Sequence, residues 1–524
     1  MEWMEILTGL ALALLASVCV YTHSVLWLRP QRLREKLRKQ GIQGPRPSIL
    51  TGNVWEIKTI QSKAAVSSTE RHGRLTDDYA ALLYPYLEFW RKQYGPIFTY
   101  ATGTVQHLYI SEPHLVKEIS LCRSWDLGKP VYLVKQFWPL LGLGITRSNG
   151  QLWAHQRKII APEFFMDKVK GMVGLMIESA LPLLKSWEDR VEGDGGIADI
   201  RIDEDLRNLS ADVISKACFG SSYCYGKEIF SLIWALERTV SFAGVLNKIP
   251  AFRCLPTKNT REAWRLEEEI KELILKVATK RKEESNYVTS CETEKDLLQM
   301  ILEAACADQL DQETANRFVV DNCKNIYLAG HETVASVATW TLMLLASHPE
   351  WQSRARTEVF DVSGGGLPDA DLLFKMKTLT MVIQETLRLF PPTSFVSREA
   401  FEEMQLGGFR IPKGVNIWIP IPTLHRIPEI WGPDSDEFKP ERFAHGIFGA
   451  CKLPQVFIPF GLGPRTCLGQ KFAMAELKTV LSLLLSKFSF SLSPKYVHSP
   501  SFKMVLEPQY GMNLLVSRRS KAGP

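Results

Sequence analysis

The sequence predicts long helical segments, a β-hairpin near the start of its body and one apolar helix at its N-terminus. Three observations carry this. Ile6 to Leu28 contains no Asp, Glu, Lys or Arg. Gln312 to Ser347 is an almost unbroken helical pattern closed by His348-Pro349. Ile97-Phe98-Thr99-Tyr100 and His107-Leu108-Tyr109-Ile110 are two short β-type runs around a turn.

At about 1.5 Å per residue the first run is long enough to cross a bilayer core of roughly 30 Å. Arg29, Arg32, Arg34, Lys36, Arg38 and Lys39 follow it against the single acid Glu35, whereas Glu2 and Glu5 precede it. The positive-inside rule then puts the body in the cytosol. A cleaved signal peptide is the alternative, but the run is too long and the basic residues lie on its wrong side. Gly44-Pro45-Arg46-Pro47 supplies a stiff, non-helical connection. The expected division is an anchor at 1–28, a basic segment with a proline hinge at 29–52, and a body at 53–524.

Within the body, Pro85 to Tyr94 reads as a helix that Gly95-Pro96 ends. The hairpin follows. The pattern from Gln312 would measure about 50 Å, so a soluble helix of that length must run through the core. Glu283 to Glu294 and Val362 to Pro368 read as surface loops. No low-complexity linker divides the chain after residue 55, so one large unit is expected of its 524 residues. Hydrophobic content of 45% is enough for a sizeable core. The net charge of +6 comes without an arginine-rich arm or basic repeat, so nucleic acid is not implied. The ten cysteines show no C-x-x-C pair and no zinc-like spacing with histidine, and read as mostly reduced thiols.

The chemistry concentrates at Phe460-Gly461-Leu462-Gly463-Pro464-Arg465-Thr466-Cys467-Leu468-Gly469, a glycine-rich loop running into an apolar helical pattern from Gln470 to Phe488. That layout suits a haem-thiolate site, in which an axial thiolate pushes electron density onto iron and favours O–O cleavage. Gly461, Gly463 and Gly469 let the backbone approach a macrocycle and aim N–H groups at the sulfur. Arg465 can pair with a haem propionate. A turn around a buried structural cysteine is the alternative.

The loop resembles the haem-binding signature of the cytochrome P-450 family, F-x-x-G-x-R-x-C-x-G, and meets every fixed position. The resemblance covers nearly the whole chain. It implies a large, mainly helical fold with a small β region, haem b as cofactor with Cys467 as iron ligand, and O₂ as co-substrate. Because no flavin or dinucleotide segment is apparent, NADPH electrons are expected through a partner reductase. The proline segment is similar to the hinge of microsomal members, which implies a single-pass protein of the endoplasmic reticulum membrane with its body on the cytosolic face.

Further motifs take roles from that resemblance. In Ala329-Gly330-His331-Glu332-Thr333 the mid-helix glycine costs about 1 kcal/mol against alanine and is expected to make room for a bound molecule. The family's matching acid and threonine deliver protons to iron-bound dioxygen, and those roles fall on Glu332 and Thr333. By itself Thr333 equally suits a helix threonine bonding back to a carbonyl. Val334 stands where Thr or Ser is frequent in the family. Glu385 and Arg388 share a helix face and resemble the E-x-x-R motif, with Arg442 completing a buried structural triad; alone, such a pair is usually solvated. Trp153 and Arg157 resemble the W-x-x-x-R helix that holds a propionate, although Trp and Arg at this spacing commonly just stack. Arg398 matches a further propionate contact. The pocket wall is assigned to Tyr327, Leu328, Ala329, Phe395 and Val396, and Asn247 to Thr260 is expected either to cover the pocket, dipping into the bilayer surface, or to pack in the core.

The runs Trp153 to Gly174, Phe318 to Thr333 and Ile421 to Gly432 look like the plant branch containing gibberellin 13-oxidases and gibberellin 16,17-epoxidases. This implies a small apolar substrate, a gibberellin or kaurenoid diterpenoid acid, with Arg123, Lys129 and Lys135 as candidates to meet its carboxylate. A triterpenoid or another plant hormone, a haem-thiolate isomerase, or a haem sensor remain as alternatives.

Overall fold

In the computed structural model the apolar N-terminal run is helical over Glu2–His23, passes a π-helical turn at Ser24–Leu28 and continues over Arg29–Arg38. The structure describes residues 2–68, 75–220, 226–241, 257–287, 296–307 and 311–519. Among these, this is the one helix long and apolar enough to cross a membrane, and its apolar stretch is not buried against the body. The basic segment is different. Leu37 and Ile42 insert into the core beneath the main sheet, and the Thr99 N–H donates to the Gln43 carbonyl at 2.9 Å. A Cβ on Gly44 would lie 1.8 Å from the Thr99 carbonyl oxygen, so only glycine lets the proline segment dock this closely.

The helices that position the site are α1 (Gly150–Ile160), α2 (Ile202–Phe219), α3 (Gly226–Ser241), α4 (Gln312–Ser347), α5 (Lys377–Leu389) and α6 (Gln470–Lys487). The expected helix at Pro85–Tyr94 is present, with Gly95 as its C-cap at φ +90°. Helix α4 occupies the predicted span. Asp311 caps it by accepting from the N–H groups of Glu313 and Thr314 at 3.1 Å each. From Phe318 to Ala346 it is buried all round except at Ala329, Gly330 and Thr333. Buried hydroxyls on it bond back within the helix, Thr339 to the Ala335 carbonyl and Thr341 to that of Val337.

The main sheet has five strands, β1 (Ile97–Thr102), β2 (Val105–Ile110), β3 (Leu127–Gly128), β4 (Phe395–Ala400) and β5 (Asn416–Pro420), in the order β1-β2-β5-β4-β3. The predicted hairpin is β1–β2, in register from Ile97 opposite Ile110 to Thr102 opposite Val105. Strand β5 joins β2 in parallel; the other pairings are antiparallel. A three-stranded sheet brings Ile197–Arg201, Phe488–Leu492 and Asn513–Arg518 together.

Two expected loops differ from the structure. The helix Lys258–Tyr287 runs into Glu283–Glu294, whose remainder from 288 lies outside the described residues. Val362 and Ser363 still belong to the helix Pro349–Ser363, which Gly364 ends in the left-handed region at φ +59°. Most of Asn247–Thr260 lies outside the described residues, and Lys258 already starts a helix. The described cysteines 19, 122, 218, 306, 323, 451 and 467 are unpaired with one another.

Candidate active site

Cys467 sits on the loop before α6, where local hydrogen bonds shape the backbone. Its N–H donates to the Phe460 carbonyl at 2.8 Å, the Gly461 N–H to Ile458, and the Thr466 N–H and hydroxyl both to Gly463. Gly461 and Gly463 hold φ of +79° and +67°, so the tight turn requires them. Gly469 does not, with φ −80° at the N-cap of α6; its N–H instead bonds toward the thiol. Burial pushes the Cys467 thiol pKa up, opposed by that N–H and by Arg157. The Cys467 side chain is open, yet to an interior cavity of about 380 Å³ rather than to the outer surface.

Lys129, Arg157, Arg398 and Arg465 line the same cavity, and no carboxylate stands within ion-pair distance of any of them among the described residues. The three guanidinium groups are held by neutral oxygens. Arg157 donates through Nη1 and Nη2 to the Thr466 carbonyl at 3.1 Å, Arg465 to the Ser148 carbonyl and Asn149 Oδ1 at 3.0 and 2.8 Å, and Arg398 to the Leu462 carbonyl at 3.2 Å. The Trp153 ring lies 4.4 Å from Arg465 and 5.6 Å from Arg157. Burial lowers Arg398 to about 10 and, with help from Arg398 and Arg157, Arg465 to about 9. Lys129 falls well below its usual value through burial and the neighbouring Arg398, Arg147 and Arg465. Buried cations without counter-ions are costly, so this cluster calls for anionic groups in the cavity.

The opposite wall is α4, through Asn325, Ile326, Ala329, Gly330, Thr333, Val334 and Val337. Phe395 and Val396 line the cavity as expected; Tyr327 and Leu328 do not. Tyr327 stacks on Phe219 with ring centroids 4.2 Å apart and meets Phe230 edge-on, because its helical azimuth points to α2 and α3. Gly330 lines the cavity and has a second role. A Cβ there would lie 2.5 Å from Ile214 Cγ1, so the glycine lets α2 approach α4 as well as opening the wall. Thr333 reaches the cavity, with its hydroxyl donating to the Ala329 carbonyl at 2.8 Å. Glu332 faces away, toward Arg207 Nε at 3.2 Å and His331 Nε2 at 3.1 Å. Burial alone would raise its carboxyl, but His331 and Arg207 bring it down to about 2.

A family model described as Cytochrome P450 matches residues 79–516. The chain belongs to the cytochrome P450 family. It is 52% identical over 518 residues to Cytochrome P450 714C2 of Oryza sativa subsp. japonica, covering 98% of both chains. It is 49% identical to Cytochrome P450 714B3 of Zea mays (98% of each chain) and 49% identical to Cytochrome P450 714A2 of Arabidopsis thaliana (93% of each). It is thus a P450 monooxygenase of the plant 714 family, and that family membership implies a haem-thiolate cofactor and a reductase partner. The residues present fit such a group: a thiol opening onto a cavity, and four buried or half-buried cations without counter-ions, two of whose charges a pair of propionates would balance.

Behind the cysteine loop of this P450 the E-x-x-R pair is fully buried. Arg388 grips Glu385 through Nε and Nη2 at 2.7 and 2.8 Å, and its guanidinium also donates to the carbonyls of His425, Ser435 and Glu437. Arg442 Nε lies 3.4 Å from Glu385 and its Nη1 2.7 Å from Asp434. The Lys439 N–H adds a 2.9 Å bond to Glu385.

Sequence reasoning missed three contributors. His425 is fully buried, its Nδ1 3.1 Å from the Arg388 carbonyl, and its Nε2 accepts from the Ile458 N–H at 3.0 Å. It therefore ties the triad to the start of the cysteine loop. Asn149 accepts from Arg465 and from the Lys129 N–H at 2.7 Å, and Arg147 adds a further cation beside Lys129. Nothing in their spacing marks them, since their partners come from segments distant in sequence.

Proposed function

We propose that this P450 oxidises a gibberellin or kaurenoid diterpenoid acid, by C13 hydroxylation or 16,17-epoxidation, at the cytosolic face of the endoplasmic reticulum. The observation that carries this reading is the cavity itself, apolar along α4 and cationic at Lys129. A rigid hydrocarbon skeleton with one acid matches such a wall. Of the three cations expected to meet the acid, Lys129 lines the cavity, Arg123 lines a smaller one beside Arg398 and Arg465, and Lys135 acts on Glu399.

Haem held by Cys467 supplies the oxygen-activating chemistry, with NADPH electrons arriving through the reductase. Trp153, Arg157, Arg398 and Arg465 hold its propionates, and Phe460 packs at the loop entrance. Thr333 Oγ1 holds a proton beside the reacting centre. Glu332 keeps its charge against Arg207 and His331, so it acts through the helix and its surrounding field and does not touch substrate. The triad of Glu385, Arg388 and Arg442 holds the fold beneath the loop. Product analysis by mass spectrometry, on microsomes containing the protein and a plant reductase, tests the reading with a panel of gibberellins and kaurenoid acids. NADPH-dependent oxidation on the C and D rings supports it. Oxidation of a triterpenoid with every diterpenoid acid ignored overturns it, and turnover without NADPH points to an isomerase.

A further inference from the structure

Thr146 and Asn325 stand together on the cavity wall, Thr146 next in the chain to Arg147 of the cation cluster. Both belong to a clamp by which α4 grips the chain ahead of α1. Asp321 Oδ2 accepts from the Leu143 N–H at 2.9 Å, Asn322 Oδ1 from the Ile145 N–H at 3.1 Å and Asn325 Oδ1 from the Thr146 N–H at 3.1 Å. Asn325 Nδ2 donates to the carbonyls of Leu141 and Asp321 at 2.7 and 2.6 Å. A Cβ on Gly142 or Gly144 would lie 2.2 Å from Asp321 or Asn325 respectively, so this approach needs glycine at both positions.

The clamp fixes the chemistry it shows to the cavity. Asn325 is 1% exposed, and backbone partners of both kinds determine which of its side-chain atoms is oxygen. Both amide hydrogens are used. The Thr146 hydroxyl donates to Asn325 Oδ1, which commits its only proton and leaves oxygen lone pairs. An acceptor held this way favours a ligand hydroxyl or protonated acid and offers nothing to an anion. Asn325 precedes Thr333 by eight residues of α4, a separation of about 12 Å along the axis.

We propose that Thr146, oriented by Asn325, is a specificity-determining residue that accepts a hydrogen bond from a hydroxyl-type donor on the substrate. The inference rests on the cavity being the substrate site, but not on the substrate being a gibberellin. It limits the class to apolar skeletons carrying a hydrogen-bond donor.

The test uses the haem-loaded, full-length protein and 1-alkylimidazoles of graded chain length, each paired with its ω-hydroxyl counterpart. Binding is read from the iron-coordination difference spectrum, without turnover. In the unmodified protein the hydroxyl-terminated ligand is expected to bind about tenfold tighter than its methyl-terminated partner, at one chain length. Thr146→Val removes that advantage and leaves the methyl-terminated affinity unchanged; Thr146→Ser keeps it. Thr146→Ala serves as a second hydroxyl-free variant should the valine protein not load haem. A hydroxyl that gives no advantage at any chain length, or one whose advantage survives in Thr146→Val or Thr146→Ala, overturns the proposal. Failure to oxidise any diterpenoid acid would remove the substrate reading above while leaving the azole result to stand or fall alone.

Discussion

Replacing Glu385 by alanine strands two buried cations at once. Glu385 and Arg388 side chains are 0% exposed, so water cannot take over the lost contacts. Arg388 loses charge-assisted bonds at 2.7 and 2.8 Å, and the Lys439 N–H loses its 2.9 Å acceptor. Breaking a buried pair from one side costs about 3–5 kcal/mol, and an orphaned buried N–H about 1–3 kcal/mol more. Two features offset this: Arg388 keeps three carbonyl partners, and Arg442 keeps Asp434. The expected net loss is therefore about 3–5 kcal/mol, with haem incorporation impaired because His425 carries any shift of Arg388 to Ile458. The assay is urea unfolding followed by haem absorbance, with haem content from the reduced carbonyl spectrum. Glu385→Gln, which keeps the shape and one acceptor, is expected to fall between the alanine variant and the unmodified protein. A fully haem-loaded Glu385→Ala protein within about 1 kcal/mol of the parent would refute the argument, since surface pairs are worth no more than that.

Cys467→Ser is expected to lose the thiolate-type carbonyl spectrum and activity together; retention of both would reassign the iron ligand. Thr333→Ala keeps haem but slows product formation and raises peroxide release, and unchanged coupling of NADPH to product would remove Thr333 from the mechanism. Deleting residues 1–28 frees the protein from carbonate-washed membranes, because no other described helix is long and apolar enough to span one; a truncated protein that still resists extraction would reveal a second anchor. Burial lowers His425 to about 3, so the unfolded chain takes up a proton below its ordinary value near 6.5 while the folded one does not. Stability is then expected to fall as pH drops from about 6.5 toward 3, by at most about 5 kcal/mol from this group. His425→Gln flattens that part of the urea-midpoint profile, and an identical slope in both proteins would show that His425 does not contribute.

What could be read from the sequence alone is what neighbours along the chain decide. The span of α4 follows from its apolar pattern and from the His348-Pro349 stop, the β1–β2 hairpin from two short runs a few residues apart, and the cysteine loop from glycines whose positive φ serves a local turn. Glu385 and Arg388 meet because residues three apart share a helix face. Tertiary structure decided the rest. Which way Glu332 and Tyr327 point depends on how α4 is rotated against α2 and α3, and one residue of azimuth, about 100°, separates the cavity from an ion pair or a stacked ring. Gly330 reads only as room for a ligand, and the structure adds that Ile214 packs against it. Residues 129, 147, 157, 398 and 465 form a cation cluster only when the β3 end, α1, β4 and the cysteine loop converge. Burial of Arg398 and partial burial of the other four, with no acid at ion-pair distance among the described residues, then leave five ordinary basic residues without counter-ions, and burial is a property of the folded chain.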